Sequence, residues 1–139
     1  MNKYKIISLV KILQKKGKKE FSELTVFNVF RLVKKTNLLC PFMFFVESLN
    51  KAKPHVEIRL IKISGTNYKV PVEINSKRQK NLVLKWFVVN AFKNEDFRIE
   101  LNLMKEILNT YNLTSNTIKQ LNDIHKIAEL NRIYMQYRY

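Results

Sequence analysis

The sequence predicts a mainly α-helical fold: a single domain over residues 1–139, with about six helices and an inserted, protruding β-hairpin at about residues 55–75. Apolar residues recur at spacings of three and four through most of the chain, which is the period of an amphipathic helix. Between residues 55 and 75 the spacing changes to two, the period of a strand. Hydrophobic residues make up 46% of the 139 residues, enough to bury a core.

Two helices are predicted at the start of the chain. The first covers about residues 3–16 and ends at Gly17. Four apolar residues form its buried stripe: Ile6, Leu9, Val10 and Leu13. Ser22 is the expected cap of the second helix, with Thr25 one turn further on. The residues predicted to face the core from this helix are its large apolar ones at helical spacing, Leu24, Phe27, Phe30 and Val33.

A third, short helix is predicted before the hairpin. Pro41 suits its first turn, because proline lacks the N–H group that a first turn leaves unpaired. The predicted core residues are Phe42, Phe45, Val46 and Leu49. Phe44 is surplus to that face, and Cys40 is interpreted as a small buried apolar side chain.

The hairpin is predicted from two alternating runs, residues 56–63 and 68–74, joined by a polar turn at residues 64–67. The alternation breaks at Leu60 and Ile61, which predicts a bulge or a twist near the middle of the first strand. Pro71 indicates a two-stranded ribbon, because proline cannot donate the ladder hydrogen bond of a central strand. The apolar side chains are expected on one side of the ribbon: Val56, Ile58, Val70 and Val72. A lone two-stranded hairpin is marginal in water, so this one needs a surface to lie against.

Three helices are predicted after the hairpin. The fourth covers about residues 77–92 and is capped by Asn75 or Ser76. Its apolar set is Leu82, Val83, Trp86, Phe87 and Val89, and Trp86 is expected in the core. The fifth is capped by Asp96 and packs Ile99, Leu103, Met104, Ile107 and Leu108. The last covers about residues 116–137 and packs Ile118, Leu121, Ile124, Ile127, Ala128 and Tyr134.

The charge of the chain is strongly positive and unevenly placed. Lys and Arg number 26 against 11 acidic residues, a formal net charge of +15. Residues 1–35 and residues 51–93 each hold ten basic and two acidic side chains, whereas residues 94–139 hold six of each. Such an excess is the electrostatic signature of a nucleic-acid binder, with an anionic membrane as the alternative. The neutral C-terminal third is interpreted as scaffold.

Three cationic clusters are the predicted RNA-binding residues, because few acidic side chains neutralise them. They lie around the end of the first helix (Lys15, Lys16, Lys18, Lys19), on the hairpin (Arg59, Lys62, Lys69) and on the fourth helix (Lys77, Arg78, Lys80, Lys85). Arg138, between two tyrosines at the end, is a further candidate, for which packing and RNA stacking are equally compatible. Lysine binds phosphate as a point charge, so the clusters favour recognition of RNA shape over base identity.

No catalytic or cofactor site is predicted. The only histidines, His55 and His125, have no cysteine or carboxylate at metal-ligand spacing, and His125 is interpreted as a packing residue. There is no glycine-rich phosphate loop, no apolar run of the roughly 18–20 residues that span a membrane, and no transit-peptide composition at the start. The single thiol, Cys40, fits a reducing compartment. We therefore expect no enzyme, no cofactor and no small-molecule substrate.

Three sequence blocks around the hairpin resemble one known family. They read ESLN-x-x-KP-x-VEIR from residue 47, ISGTNYKVPVEI from residue 63 and KR-x-x-N-x-x-x-KW from residue 77. With Gly17-Lys18-Lys19 and the segment from Asp123 to Glu129, they are similar in order and spacing to the small-subunit ribosomal protein seven family of bacteria and organelles. The chain differs by a nearly absent basic N-terminal arm, an end at Tyr139 without a further tail, and Ser64 where a glycine is usual.

The resemblance implies a structural constituent of the small ribosomal subunit that binds its rRNA and organises the head. It further implies neighbouring ribosomal proteins as partners, and transient contact of the hairpin with exit-site tRNA and mRNA. Lysine outnumbers arginine 20 to 6, as an AT-rich coding sequence produces. That bias favours a mitochondrial ribosome, then a plastid or a bacterial one. A free-standing basic RNA- or DNA-binding module, such as a regulator or chaperone, and a peripheral membrane protein remain as alternatives.

Overall fold

The computed structural model describes residues 3–36, 40–93 and 98–137. Its elements in chain order are α1 (Lys3–Leu13), α2 (Lys19–Thr36), α3 (Pro41–Lys51), β1 (Val56–Ile63), β2 (Thr66–Glu73), α4 (Ser76–Lys93), α5 (Ile99–Tyr111), α6 (Asn116–Leu130) and a C-terminal 3₁₀ helix (Arg132–Tyr137). This architecture confirms the predicted mainly α fold with one two-stranded hairpin. Asp96, the predicted cap of α5, lies outside the described residues.

Helix α5 lies at the centre of the fold and packs against α2, α3, α4 and α6. Its Leu103 is fully buried and its Ile107 is 2% exposed. Opposite them, the rings of Phe45 on α3 and Phe87 on α4 lie 6.5 Å apart. The C-terminal third therefore supplies the central helix of the core, which agrees with its interpretation as scaffold.

The inner face of α2 is only half the predicted one: Val33 is buried and Phe30 packs against the core, with its ring 5.6 Å from that of Phe45, but the other two residues are exposed. Leu24 and Phe27 are 62% and 67% exposed, and the buried side chains are small: Ser22, Thr25, Val26, Val29 and Val33. Ser22 and Thr25 are not caps, because they lie within the helix and their hydroxyls donate to carbonyl oxygens one turn earlier, at 3.1 and 2.8 Å. A hydroxyl satisfied in this way can be buried at little cost. Small side chains thus make up most of the buried face of α2, while Phe21, Leu24 and Phe27 stay outside.

Helices α3 and α4 differ from prediction in smaller ways. Phe44 is buried and stacks on Tyr111 at 4.2 Å, so it is not surplus, whereas Cys40 is exposed at the helix start. On α4, Val89 is 47% exposed and Trp86 is half-buried. Three residues of α4 that were not predicted to be in the core are buried instead: Leu84, Val88 and Ala91. The four buried positions of α3 include Ser48, whose hydroxyl donates to the Ile107 carbonyl at 3.2 Å.

The hairpin is regular and tighter than predicted. Its register is continuous, from Val56 opposite Glu73 to Ile63 opposite Thr66, so the predicted bulge is absent. The turn is two residues long, with φ of 48° at Ser64 and 88° at Gly65. Positive φ at both positions is the type I′ geometry, which matches the twist of the strands and removes the need for a longer turn.

The two sides of the ribbon are both mixed, contrary to prediction. Residues directly opposite in an antiparallel pair share a face. Val70 therefore shares a face with Arg59, and Ile58 shares the other face with Pro71. The hairpin is also supported, because β1 packs on α6 and β2 on the 3₁₀ helix. Near the tip, the Tyr68 ring lies 5.1 Å from that of Tyr134.

The last helix stops earlier than predicted. Helix α6 begins at a cap formed by Ser115, whose hydroxyl accepts from the Ile118 amide at 3.2 Å, and it ends at Leu130. Asn131 is the residue that ends the helix, and the Ile127 carbonyl accepts from both its backbone amide, at 3.1 Å, and its side chain, at 2.7 Å. The chain turns into the 3₁₀ helix, and this turn places Tyr134 and Tyr137 against Tyr68.

Candidate nucleic-acid interface

An open groove of about 640 Å³ separates α1 from α4, and its cations come from both helices. The charged residues that line it are Lys11, Lys77, Arg78 and Lys85, and the polar ones are Ser8, Asn75 and Asn81. Within the described residues, Lys11, Lys77 and Lys85 form no ion pair. The groove therefore presents concentrated positive charge that the protein itself does not neutralise.

The start of α4 adds to this positive potential. The Asn75 side chain accepts from the Lys77 amide at 3.5 Å, which confirms Asn75 as a cap, and the first turn contains no acidic residue. The positive end of the helix dipole lies here, where cationic side chains are unfavourable and anions are favoured. Lys77, Arg78 and Lys80 therefore occupy the position on this helix at which an external anion is most stabilised.

A second concentration of lysines lies beside the groove. Burial, together with the charges of Lys80 and Lys5, lowers the pKa of Lys53. All three side chains are half-buried, and the Lys53 ammonium donates to the Asn50 amide oxygen at 2.5 Å. Repulsion within such a group is relieved by a bound anion.

One carboxylate joins the hairpin to α4. The Glu57 carboxylate accepts from Arg59 Nε at 2.8 Å and from Arg78 Nε at 2.6 Å. Burial acts to raise the pKa of Glu57, but the hydrogen bonds from Arg78 and Arg59 outweigh it and lower that pKa. We call these three features the basic face: the groove cations, the three-lysine group and the two bridged arginines (Lys5, Lys11, Lys53, Arg59, Lys77, Arg78, Lys80 and Lys85).

The lysines between α1 and α2 are only partly joined to the basic face. The Lys15 ammonium lies 3.5 Å from the centroid of the Phe92 ring at the end of α4. Lys16 and Lys18 are exposed at a turn where Lys16 and Gly17 have φ of 51° and 75°. Lys19 lies on α2 and pairs with Glu23 at 3.5 Å, so part of its charge is neutralised.

The remaining predicted residues are separate. Lys62 and Lys69 lie on one side of the ribbon, opposite Asn67 and Leu60, whereas Arg59 lies on the other side. The structure thus divides the predicted hairpin cluster between its two faces. Arg138 lies outside the described residues.

Sequence reasoning missed Lys5, Lys11, Lys53 and Glu57. Lys11 precedes Lys15 by four residues, so helical spacing alone could have placed both on one face. Lys5 and Lys53 meet only through the packing of α1, α3 and α4, which no local signal reveals. Glu57 had no predicted role, because its partner Arg78 is twenty-one residues away and only the packing of α4 brings it to the hairpin.

No candidate metal site occurs in the part of the chain that the structure describes. No three His, Cys, Asp or Glu side chains lie close enough to hold a metal ion. His55 and His125 lie with ring centroids 6.0 Å apart, and His125 Nε2 accepts from the His55 amide at 3.5 Å. His125 therefore packs α6 against the base of the hairpin, as predicted. Among the described helices, none is long and apolar enough to cross a membrane.

Comparison with known proteins identifies the family. The family model described as Ribosomal protein S7p/S5e matches residues 1–132. The chain belongs to this family. It is 34% identical over 134 residues to the small ribosomal subunit protein uS7 of Mycoplasmopsis pulmonis, which covers 96% of this chain and 86% of that protein. It is 33% identical to uS7m of Reclinomonas americana over 96% of this chain and 84% of that protein. It is 36% identical to uS7 of Borrelia turicatae over 88% of this chain and 79% of that protein.

Membership of a ribosomal protein family establishes a structural role in the small ribosomal subunit and not a catalytic one. The relatives include bacterial proteins and one mitochondrial protein, so they do not decide between a bacterial and an organellar ribosome.

A second surface of the chain is apolar. Five large side chains of α1 and α2 are exposed, which we call the apolar face: Tyr4, Ile7, Phe21, Leu24 and Phe27. A groove of about 650 Å³ between the two helices is lined by Ile6, Ile7, Val10, Val26, Phe27 and Phe30, with Lys11, Gln14, Lys19 and Glu23 among them. A contiguous apolar surface on a soluble domain is typical of a protein contact.

Proposed function

We propose that this chain binds rRNA in the head of the small ribosomal subunit through its basic face and thereby organises that head. The groove cations support the proposal most directly. They come from two helices that are distant in sequence and lie around one open groove, and three of the four, Lys11, Lys77 and Lys85, form no ion pair among the described residues. A groove of this kind fits the phosphate backbone of structured RNA, which is recognised mainly by shape.

Sedimentation of extracts that contain the tagged chain tests this proposal. We expect co-migration with small subunits and release at high salt, because phosphate contacts weaken as counterions compete. A variant with Lys11, Lys77 and Lys85 all changed to Gln should be released at lower salt. Migration of both proteins with the soluble fraction at low salt would contradict the proposal.

The hairpin is the second part of the proposal: its tip reaches toward exit-site tRNA and mRNA. Strand β1 packs on α6 and β2 on the 3₁₀ helix, whose Tyr134 reaches Tyr68 near the tip, but residues 64–67 are exposed, with Lys62 and Lys69 on one face near them. The variant K62Q/K69Q should leave binding to isolated junction RNA within about twofold, because these lysines lie off the basic face. It should change tRNA occupancy of the exit site on assembled subunits. Unchanged occupancy would contradict this part.

The apolar face supports neighbouring small-subunit proteins as partners. Leu24 and Phe27 expose more than half of their surface, and aromatic and aliphatic side chains bring no attraction for phosphate. Burial of these side chains by a protein would contribute to assembly independently of the basic face. Chemical crosslinking from α2 in assembled subunits should therefore reach protein, whereas crosslinking from the α1–α4 groove should reach rRNA.

The compartment and the extent of the domain are further proposals. The lysine-rich composition supports a mitochondrial ribosome, with a plastid or bacterial ribosome as the alternatives. We also propose that residues 1–139 form one rRNA-binding domain. Equilibrium unfolding followed by two probes, Trp86 fluorescence and far-ultraviolet circular dichroism, should give coincident transitions.

A free-standing RNA- or DNA-binding module is the alternative function. Such a protein would bind duplex DNA as tightly as junction RNA, since positive charge alone does not distinguish them. A pull-down with both nucleic acids at one salt concentration separates the two functions. We expect a clear preference for the rRNA junction.

A further inference from the structure

Glu57 is an acidic side chain within the basic face, and its carboxylate is screened by two arginines. Its side chain is 12% exposed, whereas those of Arg59 and Arg78 are 56% and 59% exposed. Each carboxylate oxygen accepts from one guanidinium, Oε1 from Arg59 and Oε2 from Arg78. Solvent therefore meets mainly the two guanidinium groups.

We propose, on the basis of the proposed function, that Glu57 is a positioning residue that holds Arg59 and Arg78 together as one receptor for RNA backbone phosphate. Arg59 lies on β1 and Arg78 in the first turns of α4, so the receptor joins two elements. Without a carboxylate between them, two guanidinium groups repel each other and each long side chain samples many rotamers. The carboxylate restricts both before RNA arrives.

The geometry leaves the binding donors of both arginines available. A guanidinium has five N–H donors, and in the described contacts each arginine uses only Nε for Glu57. The planar pair of Nη groups on each arginine can therefore bind two phosphate oxygens at once. Two such pairs side by side fit one phosphodiester from two directions or two consecutive phosphates. The lowered pKa of Glu57 keeps its carboxylate charged throughout the neutral range, so the bridge is intact there.

Two opposite effects of the Glu57 charge can be separated by experiment. An acidic residue near RNA repels phosphate, so its removal alone should strengthen binding. A positioning residue acts through its partners, so its removal should weaken binding while those partners are present. The sign of the effect therefore depends on whether Arg59 and Arg78 are in place.

The experiment is a thermodynamic cycle on an isolated rRNA junction fragment of the small-subunit head. Its proteins are the wild type, E57Q, R59Q/R78Q and the variant with all three changes. We expect E57Q to weaken RNA binding about tenfold in the wild-type background, although it raises the net charge by one. In the R59Q/R78Q background the same change should leave affinity unchanged or raise it about twofold.

Two controls keep the cycle interpretable. E20Q removes the same charge from exposed Glu20 on α2 and should not weaken binding. R59K/R78K keeps both positive charges but removes the planar donor pairs, and it should weaken binding about tenfold. Thermal unfolding of each protein shows whether E57Q is too unstable for its RNA affinity to be measured. If it is, R59K/R78K still tests the receptor.

Three outcomes decide the matter. Stronger binding by E57Q in both backgrounds would overturn the proposal and leave Glu57 as a repulsive charge. Unchanged affinity of R59Q/R78Q, with binding still lost on neutralising Lys11, Lys77 and Lys85, would overturn the arginine receptor but not the proposed function. Unchanged affinity of R59Q/R78Q and also of the variant that neutralises Lys11, Lys77 and Lys85 would mean that the basic face itself is wrongly assigned.

Discussion

Helix α1 has a groove on each side, and the two grooves differ in the properties that select a binding partner. The groove toward α4 is lined by Lys11, Lys77, Arg78 and Lys85 with polar neighbours. The groove toward α2 has a similar volume, but it is lined mainly by aliphatic and aromatic side chains. Lys11 lines both grooves, so the two surfaces meet along α1.

The difference between the grooves teaches that one short helix can serve two kinds of contact. Charge near an open polar groove remains hydrated until phosphates replace the water, so that surface gains affinity from counterion release. Apolar side chains gain free energy only when another surface removes them from water. Changes on the two sides should therefore alter different measurements, and the following predictions test that separation.

The largest effect should come from Phe87→Ala, which acts beneath both grooves. Phe87 is fully buried on the inner side of α4 and packs toward Phe45. Its removal leaves a cavity and should lower the free energy of unfolding by about 3–5 kcal/mol. The neighbouring change Trp86→Ala should lower it by less, about 1–2 kcal/mol, because Trp86 is only half-buried. Urea denaturation measures both, and equal losses would contradict the observed orientation of α4.

The next effect should come from the α4 side. Changing Lys11, Lys77 and Lys85 to Gln should weaken junction RNA binding by at least tenfold near physiological salt, through loss of about three phosphate contacts. Unfolding free energy should change by less than about 0.5 kcal/mol, because these lysines form no ion pair among the described residues. Filter binding and urea denaturation give the two values. Unchanged affinity would remove the distinction between the grooves.

The smallest effect on RNA binding should come from the α2 side. Changing Phe21, Leu24 and Phe27 to Ser should leave RNA affinity within about twofold, since these exposed side chains lie off the basic face. The same variant should self-associate less than the wild type and should be incorporated into small subunits less efficiently. Light scattering measures the self-association, and reconstitution of small subunits measures the incorporation. Loss of RNA affinity in a folded variant would mean that bases stack on this face.

The two surfaces were not equally predictable from the sequence. Charge excess and helical spacing predicted that Lys77, Arg78 and Lys85 are exposed on the proposed RNA-binding side, because exposed cations need no packing information. The apolar face was missed, because hydrophobicity assigned Leu24 and Phe27 to the core. The structure instead buries Ser22 and Thr25, whose hydroxyls bond within the helix, and this choice depends on how closely α5 approaches.

The hairpin shows the same limit. Its strands were predicted from the spacing of apolar residues, and its two-stranded form was predicted from Pro71. Both are local properties. Strand register fixes which side chains share a face, and a tight turn at Ser64 and Gly65 set that register. In the Glu57 bridge, the Arg59 contact is local, because residues 57 and 59 share a face of one strand, whereas the Arg78 contact depends on the position of α4, which no local pattern could predict.

The salt dependence of RNA affinity tests most directly whether the basic face is the RNA interface. Contact with roughly six to ten phosphates predicts that the logarithm of the association constant falls against the logarithm of salt concentration with a slope of roughly −5 to −9, at about 0.9 per contact. The variant with Lys11, Lys77 and Lys85 changed to Gln should have a slope shallower by about 2 to 3. A wild-type slope near zero, or equal slopes for the two proteins, would contradict the account.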